Sequence, residues 1–171
     1  MFKNRQEAGQ LLAQKLKKFK GQEAVVLGLA RGGVVVAKEV ANILNAPLDA
    51  LVVKKIGAPG NPELAIGAVG PKRVTYWDDA LCQRLGISEY IRNQELGVRN
   101  QEREDREKLL RGKKPYLKLK GKTVVLVDDG IATGATTLAA ISWIKSQNPG
   151  RVILAVPVAP ADTVEKLKPQ V

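Results

Sequence analysis

Residues 122–137 read KTVVLVDDGIATGATT, and the order of residue types in that stretch decides the fold. Val124, Val125, Leu126 and Val127 form a short unbroken apolar run rich in β-branched residues, the pattern of a strand buried on both faces in a parallel sheet. The run ends in two adjacent carboxylates, Asp128 and Asp129, which cannot both be core residues. A loop of small and hydroxyl-bearing residues follows, with glycines at 130 and 134. Leu138, Ile141 and Ile144 then recur at helical spacing, so the loop hands over to a helix N-terminus near residue 137.

That order has a chemical meaning. Small residues let backbone N–H groups converge, and a helix start adds partial positive charge, so the natural guest of the loop is a phosphate. Thr133, Thr136 and Thr137 add hydroxyl donors. Carboxylates one step upstream repel a phosphate but accept hydrogen bonds from neighbouring hydroxyls. A ligand with a phosphate at one end and a vicinal diol beside it is a 5-phosphoribosyl group.

Residues 124–137 resemble, without gaps, the signature of the type I phosphoribosyltransferases: an apolar strand, two acidic residues and a loop ending Thr-Gly-x-Thr. The resemblance implies an α/β fold with a mostly parallel twisted sheet flanked by helices, formed by a single domain over residues 1–171. It assigns Asp128 and Asp129 to the ribose hydroxyls of phosphoribosyl pyrophosphate (PRPP). Gly130, Ala132, Thr133, Gly134, Ala135, Thr136 and Thr137 fall to its 5′-phosphate. A strand, turn and helix with a merely solvated acidic turn is the plainer alternative. A Walker-type nucleotide site is excluded by the absence of a G-x-x-x-x-G-K-[ST] motif.

A second strand, loop and helix lies upstream. The apolar run over 24–29 enters a glycine-rich turn containing Ala30, Arg31, Gly32 and Gly33, followed by Val36, Val40, Ile43 and Leu44 on one helical side. Gly32 and Gly33 let amides approach a diphosphate closely. The turn resembles the pyrophosphate loop of the same family, near the Ser-Arg-Gly-Gly form of bacterial xanthine-guanine enzymes. It lacks the G-x-G-x-x-G spacing of a dinucleotide site. A third strand is expected over 47–53, ending on Lys54 and Lys55, which either reach the pyrophosphate or face solvent. Residues 56–70, IGAPGNPELAIGAVG, are dense in glycine and proline and read as a long functional loop. The stretch 54–70 also resembles a subgroup of phosphoribosyltransferases without assigned acceptors.

Beyond it, residues 69–76 suggest a short strand pair and 81–85 a turn of helix. Mixed charges over 88–114 read as an exposed helix laced with internal ion pairs, at the place where the family carries a mobile flap; 56–118 is thus expected as a loop and flap insertion. The chain continues with a strand over 151–158 and a helix over 159–168, and stops at Val171 where a further strand is expected, as in a truncated or minimal form.

Composition narrows the chemistry. With no histidine and one cysteine, Cys82, neither zinc binding nor histidine acid–base catalysis is expected, and the protein itself supplies no metal site. A net charge of +11 favours anionic ligands. The basic N-terminus reads as a solvated amphipathic helix with Leu11, Leu12, Leu16 and Phe19 inward, so nucleic acid is disfavoured as a partner. No stretch resembles a signal peptide or a membrane span, so a cytoplasmic protein without a membrane partner is expected. By resemblance the activity is PRPP- and Mg²⁺-dependent transfer to a small nitrogenous base, with a homodimer admitted. Ala132 stands where 6-oxopurine enzymes carry an aspartate, which disfavours hypoxanthine and guanine. Two rivals remain open. One is a non-catalytic regulator that senses PRPP or a nucleotide and binds nucleic acid; the other is a PRPP-binding domain completed by a partner.

Overall fold

The structure, a computed structural model, describes residues 2–171. In chain order the elements are α1 (Arg5–Leu16), β1 (Ala24–Leu29), α2 (Gly32–Leu44), β2 (Leu48–Leu51), β3 (Lys54–Ala58), β4 (Asn61–Val69) and β5 (Thr75–Trp77). There follow α3 (Asp79–Arg84), α4 (Glu89–Arg111), β6 (Thr123–Val127), α5 (Ala135–Ser146), β7 (Arg151–Ala155) and α6 (Ala161–Leu167). They fall in two compact units, one of residues 2–51, 115–132 and 144–171, the other of residues 52–114 and 133–143.

The first unit holds a four-stranded sheet in the order β2-β1-β6-β7, with every neighbouring pair parallel. Its central strands are the two apolar runs: every residue of β1 is buried, as are the last four of β6. Polar and half-exposed residues mark the edge strands β2 and β7. The β1/β6 register sets Leu27 opposite Leu126 and Gly28 opposite Val127, so the two strands end side by side. One sheet face, carrying Val26, Val125 and Val127, packs against Ala13 and Leu16 of α1 and Val36, Val40 and Leu44 of α2. This is the parallel, helix-flanked arrangement expected from the sequence.

Helix α1 begins under clear local control. Asn4 caps it, its Oδ1 accepting from the Glu7 N–H at 2.9 Å, while Glu7 Oε2 accepts from the Lys3 N–H at 2.5 Å. Its buried residues are Ala8, Gly9, Ala13 and Leu16. Leu11, expected inward, is 53% exposed, because the smaller Ala8, Gly9 and Ala13 form the face that lets α1 lie close on α2. A Cβ on Gly9 would stand 2.9 Å from the Val36 carbonyl oxygen and 3.0 Å from Glu39 Cβ.

The second unit contains a separate antiparallel sheet, β3-β4-β5. Ile56, Ile66, Val69 and Cys82 form its core, with Trp77, Leu81 and Leu96 packed against them. The strand pair expected near 69–76 is present, Val69 facing Thr75 and Ala68 facing Tyr76. Two expectations are corrected. Strand β2 stops at Leu51, and Lys54 and Lys55 open an antiparallel hairpin instead of ending a parallel strand. Residues 56–70 are therefore mostly strand, not loop; Gly57 and Gly67 sit where neighbouring backbones crowd, a Cβ on Gly57 falling 2.5 Å from the Pro62 oxygen.

The expected charged helix is α4, capped by Ser88 and carrying ion pairs such as Arg99 with Glu102 at 2.7 Å. It is less exposed than its composition suggests. Arg103 is 3% exposed, and it is satisfied within its own helix by Asn100 Oδ1 and by an ion pair with Glu107. No helix among the described residues is long and apolar enough to cross a membrane.

Replacing Gly9 by Val should force α1 off α2. Because the obstacle is backbone, a loss of about 2 kcal/mol is expected in urea unfolding despite the gain in helix propensity.

Candidate functional site

The acidic pair occupies the end of β6, where the strand leaves the buried centre of the sheet. The Asp128 N–H is the last to follow the sheet ladder, donating to the Ala155 carbonyl at 3.4 Å. The Asp129 N–H turns back to Asp128 Oδ1 at 2.8 Å. Beside them, β1 ends in the turn of Ala30, Arg31, Gly32 and Gly33, held by the Ala30 N–H on the Leu51 carbonyl at 3.0 Å; its Ala30–Arg31 peptide is cis.

Both glycines of this turn lie hard against the end of β6 and its acids. A Cβ on Gly32 would lie 2.0 Å from Asp129 Oδ2. A Cβ on Gly33 would lie 2.8 Å from the Val127 oxygen and 3.0 Å from Asp128 Oδ1. Backbone this close leaves no room for any side chain, so the first turn of α2 and the two carboxylates share one cradle. The exposed Arg31 stands at its edge, with no ion-pair partner among the described residues.

The electrostatics separate the two acids. Asp128 is pushed up to about 7, first by burial, against the pull of the Asp129 N–H, and then by the neighbouring Asp129 carboxyl. Asp129 has a cation instead: its Oδ2 accepts from Arg5 Nε at 2.6 Å. Arg5 belongs to the basic N-terminus, and nothing in the sequence singles it out for this site. It lies 124 positions from Asp129 and carries no motif, so one sequence holds no signal for it.

Downstream, the Ile131 N–H donates to the Val158 carbonyl at 3.0 Å, and Thr163 Oγ1 donates to the Ala132 carbonyl at 2.8 Å. Gly130, Ala132 and Thr133 are exposed, Gly134 and Ala135 buried, and Thr136 half-buried. Helix α5 starts at Ala135, two residues earlier than its apolar spacing suggests, and the Leu138 N–H is bonded to the Gly134 carbonyl at 2.8 Å. The N–H groups of Ala135, Thr136 and Thr137 therefore have no intrahelical carbonyl to reach. Thr137 departs from its expected use as a hydroxyl donor: it is fully buried, and its Oγ1 has no hydrogen-bond partner. Lys54 and Lys55 are both engaged in ion pairs, Lys54 with Glu102 at 2.9 Å and Lys55 with Glu63 at 3.1 Å. Lys54, ahead of a counteracting burial effect and of Arg99, holds the Glu102 carboxyl below the usual carboxylate range.

No group of three or more His, Cys, Asp or Glu among the described residues could hold a metal alone. The adjacent carboxylates beside a glycine cradle nevertheless suit a hard cation that takes its other oxygens from a bound ligand and water.

Over residues 3–170 the chain matches the phosphoribosyl transferase domain. It belongs to that family. Relatives from two strains of Mycobacterium tuberculosis, each named "Putative phosphoribosyl transferase", are 42% identical over 170 residues, which is 97% of this chain and 38% of theirs. The chain thus spans 38% of the length of the curated relatives it matches. The crystal structure of TT1426 from Thermus thermophilus is 42% identical, with a TM-score of 0.78 over 98% of this chain and 80% of that one. A purine phosphoribosyltransferase from Pyrococcus horikoshii shares the fold at 22% identity and a TM-score of 0.52, covering 89% of this chain and 70% of its own. So does a hypoxanthine phosphoribosyltransferase from Staphylococcus aureus, at 11% and 0.56, covering 93% and 65%.

Two stability predictions follow from this phosphoribosyl transferase domain. The raised Asp128 value means that the native state binds more protons than the unfolded chain between about pH 4 and 7, so this group's stabilisation is lost as pH rises through 7. Asp128→Asn should flatten that slope and leave the variant about 1 kcal/mol or more ahead of the parent at pH 8 in denaturant titrations. Thr137→Val removes an orphaned buried hydroxyl at constant shape; a gain of about 1 kcal/mol is expected by the same measurement.

Proposed function

We propose that this domain binds PRPP and transfers its phosphoribosyl group to a nitrogenous base with release of pyrophosphate. The observation that carries the reading is the cradle itself. Two carboxylates suited to a sugar diol are packed directly on a glycine turn whose amides and arginine suit a diphosphate, as a diol and its adjacent leaving group require. In this reading Asp129 and Asp128 accept from the ribose hydroxyls. Arg31 and the amides around Gly32 and Gly33 receive the pyrophosphate. The loop from Gly130 through Ala132, Thr133 and Gly134 into the first turn of α5 takes the 5′-phosphate, through the hydroxyls of Thr133 and Thr136 and the open amides of Ala135, Thr136 and Thr137.

Mg²⁺, held mainly by ligand oxygens with Asp128 and Asp129 beside it, would supply charge neutralisation on the diphosphate. The bond from the anomeric carbon to pyrophosphate breaks with its electron pair leaving on oxygen, and the base nitrogen's lone pair forms the new bond from the opposite face. The chain's part is positioning and electrostatic stabilisation of the charge that develops. Ala132 is exposed and the loop has no proton-transfer group, so a base that carries its attacking lone pair without prior deprotonation fits best.

Calorimetric titration of PRPP with Mg²⁺, paired with a pyrophosphate-release assay over a panel of bases, tests the reading. The double variant Asp128→Asn, Asp129→Asn should lose PRPP binding by about 100-fold or more, two charged hydrogen-bond acceptors being removed, while remaining folded. Unchanged affinity would sink the assignment of the diol. Tight PRPP binding without turnover on any base would instead favour the regulator.

A further inference from the structure

Helices α1 and α2 run in the same direction. Gly9 abuts Val36, and one residue on, Gln10 Nε2 reaches Glu39 Oε2 at 3.5 Å. Four positions earlier on each helix, that register sets Arg5 beside Gly32, at the glycine turn where α2 starts. The Asn4 cap and the Glu7 carboxylate fix the turn of α1 from which Arg5 projects.

At that place Arg5 is only half used. Its Nε donates to Asp129 Oδ2 at 2.6 Å, and that oxygen is the atom a Cβ on Gly32 would strike at 2.0 Å. No protein group among the described residues engages its two terminal amino groups, Nη1 and Nη2. The side chain is 61% exposed, yet the short bond to Asp129 anchors the guanidinium at the mouth of the cradle. An arginine bound side-on through Nε keeps a planar two-pronged donor set free, the geometry that suits a phosphate's oxygens.

We infer that Arg5 is a ligand-binding residue: with Nε held on Asp129, its Nη fork takes the pyrophosphate end of the ligand, as the second cation of the subsite that Arg31 begins. This rests on the reading of the cradle as a PRPP site. It places the additional cation on the N-terminal helix, not on the charged segment expected to act as a flap. The other cations of the N-terminal segment have no such anchor; Lys17, just past the end of α1, is exposed and forms no ion pair among the described residues.

The test is calorimetry of inorganic pyrophosphate and of ribose 5-phosphate, each with Mg²⁺, on the parent, Arg5→Ala, Arg5→Lys and, as a charge-matched control, Lys17→Ala. Arg5→Ala should weaken pyrophosphate about tenfold or more and ribose 5-phosphate by less than about threefold, the lost bonds being to a charged group. Arg5→Lys should behave more like Ala than like the parent, because an ammonium cannot hold Asp129 and present a fork together. Lys17→Ala should leave both affinities in place. Pyrophosphate affinity unchanged in both Arg5 variants would overturn the inference. Equal losses on both ligands would also overturn it, showing that Arg5 serves only to orient Asp129. A parent that binds neither ligand would remove the PRPP reading and this inference together, whereas a parent that binds both while the Arg5 variants match it removes this inference alone. Circular dichroism melting confirms that each variant is folded, and Arg5→Lys, which keeps charge and stem, provides the comparison should Arg5→Ala unfold.

Discussion

The parallel pairing of β1 with β6 is the constraint from which the rest of the candidate site follows. Because Gly28 lies opposite Val127, the two strands finish at the same level, and what each emits next must share a small space. One emits a glycine turn and the other two carboxylates. A shift by one residue would exchange the side chains packed on the two buried faces of each central strand and carry the glycine turn out of level with the carboxylates. The fit of Gly32 and Gly33 against Asp129 and Asp128 is therefore a consequence of register as much as of local sequence.

Charge is arranged around that fit with some economy. Parallel α1 and α2 bring two helix starts, each with partial positive character, toward one end of the sheet. Asp129 sits among them and against Arg5, which offsets its negative charge; Asp128, without an ion pair among the described residues, has a raised proton affinity caused first by burial. A single adjacent pair thus presents two acids of different character, a distinction created by burial and partner and invisible in the dipeptide Asp-Asp.

The legible parts of the chain were those whose physics is local. The short, β-branched apolar runs of β1 and β6 read as buried strands, and the helical spacing of Val36, Val40 and Leu44 marks the inner face of α2. The hairpin over β3 and β4 was misread because its glycines signal a turn in sequence, whereas in the fold Gly57 and Gly67 are absences of side chain where neighbouring backbones crowd. Lys54 and Lys55 followed that misreading. Buried Arg103 and exposed Leu11 invert ordinary hydrophobicity for reasons of partner and of fit, respectively. Arg5 was out of reach altogether, since only the α1/α2 register brings it to Asp129.

The same central pairing has a kinetic side. Val26 meets Val125, 99 positions later, and everything from α2 through α4 lies between. The innermost hydrogen-bonded ladder is thus also one of the most distant contacts in the chain, closed across a long loop whose entropy must be lost before the contact forms. On a ribosome, β1 waits with one flank unpaired until β6 has emerged, while β3, β4 and β5 between them pair with strands next to them in the chain. The acid-and-glycine cradle therefore cannot exist until the chain has been made as far as Asp129, however early its glycine turn is in place.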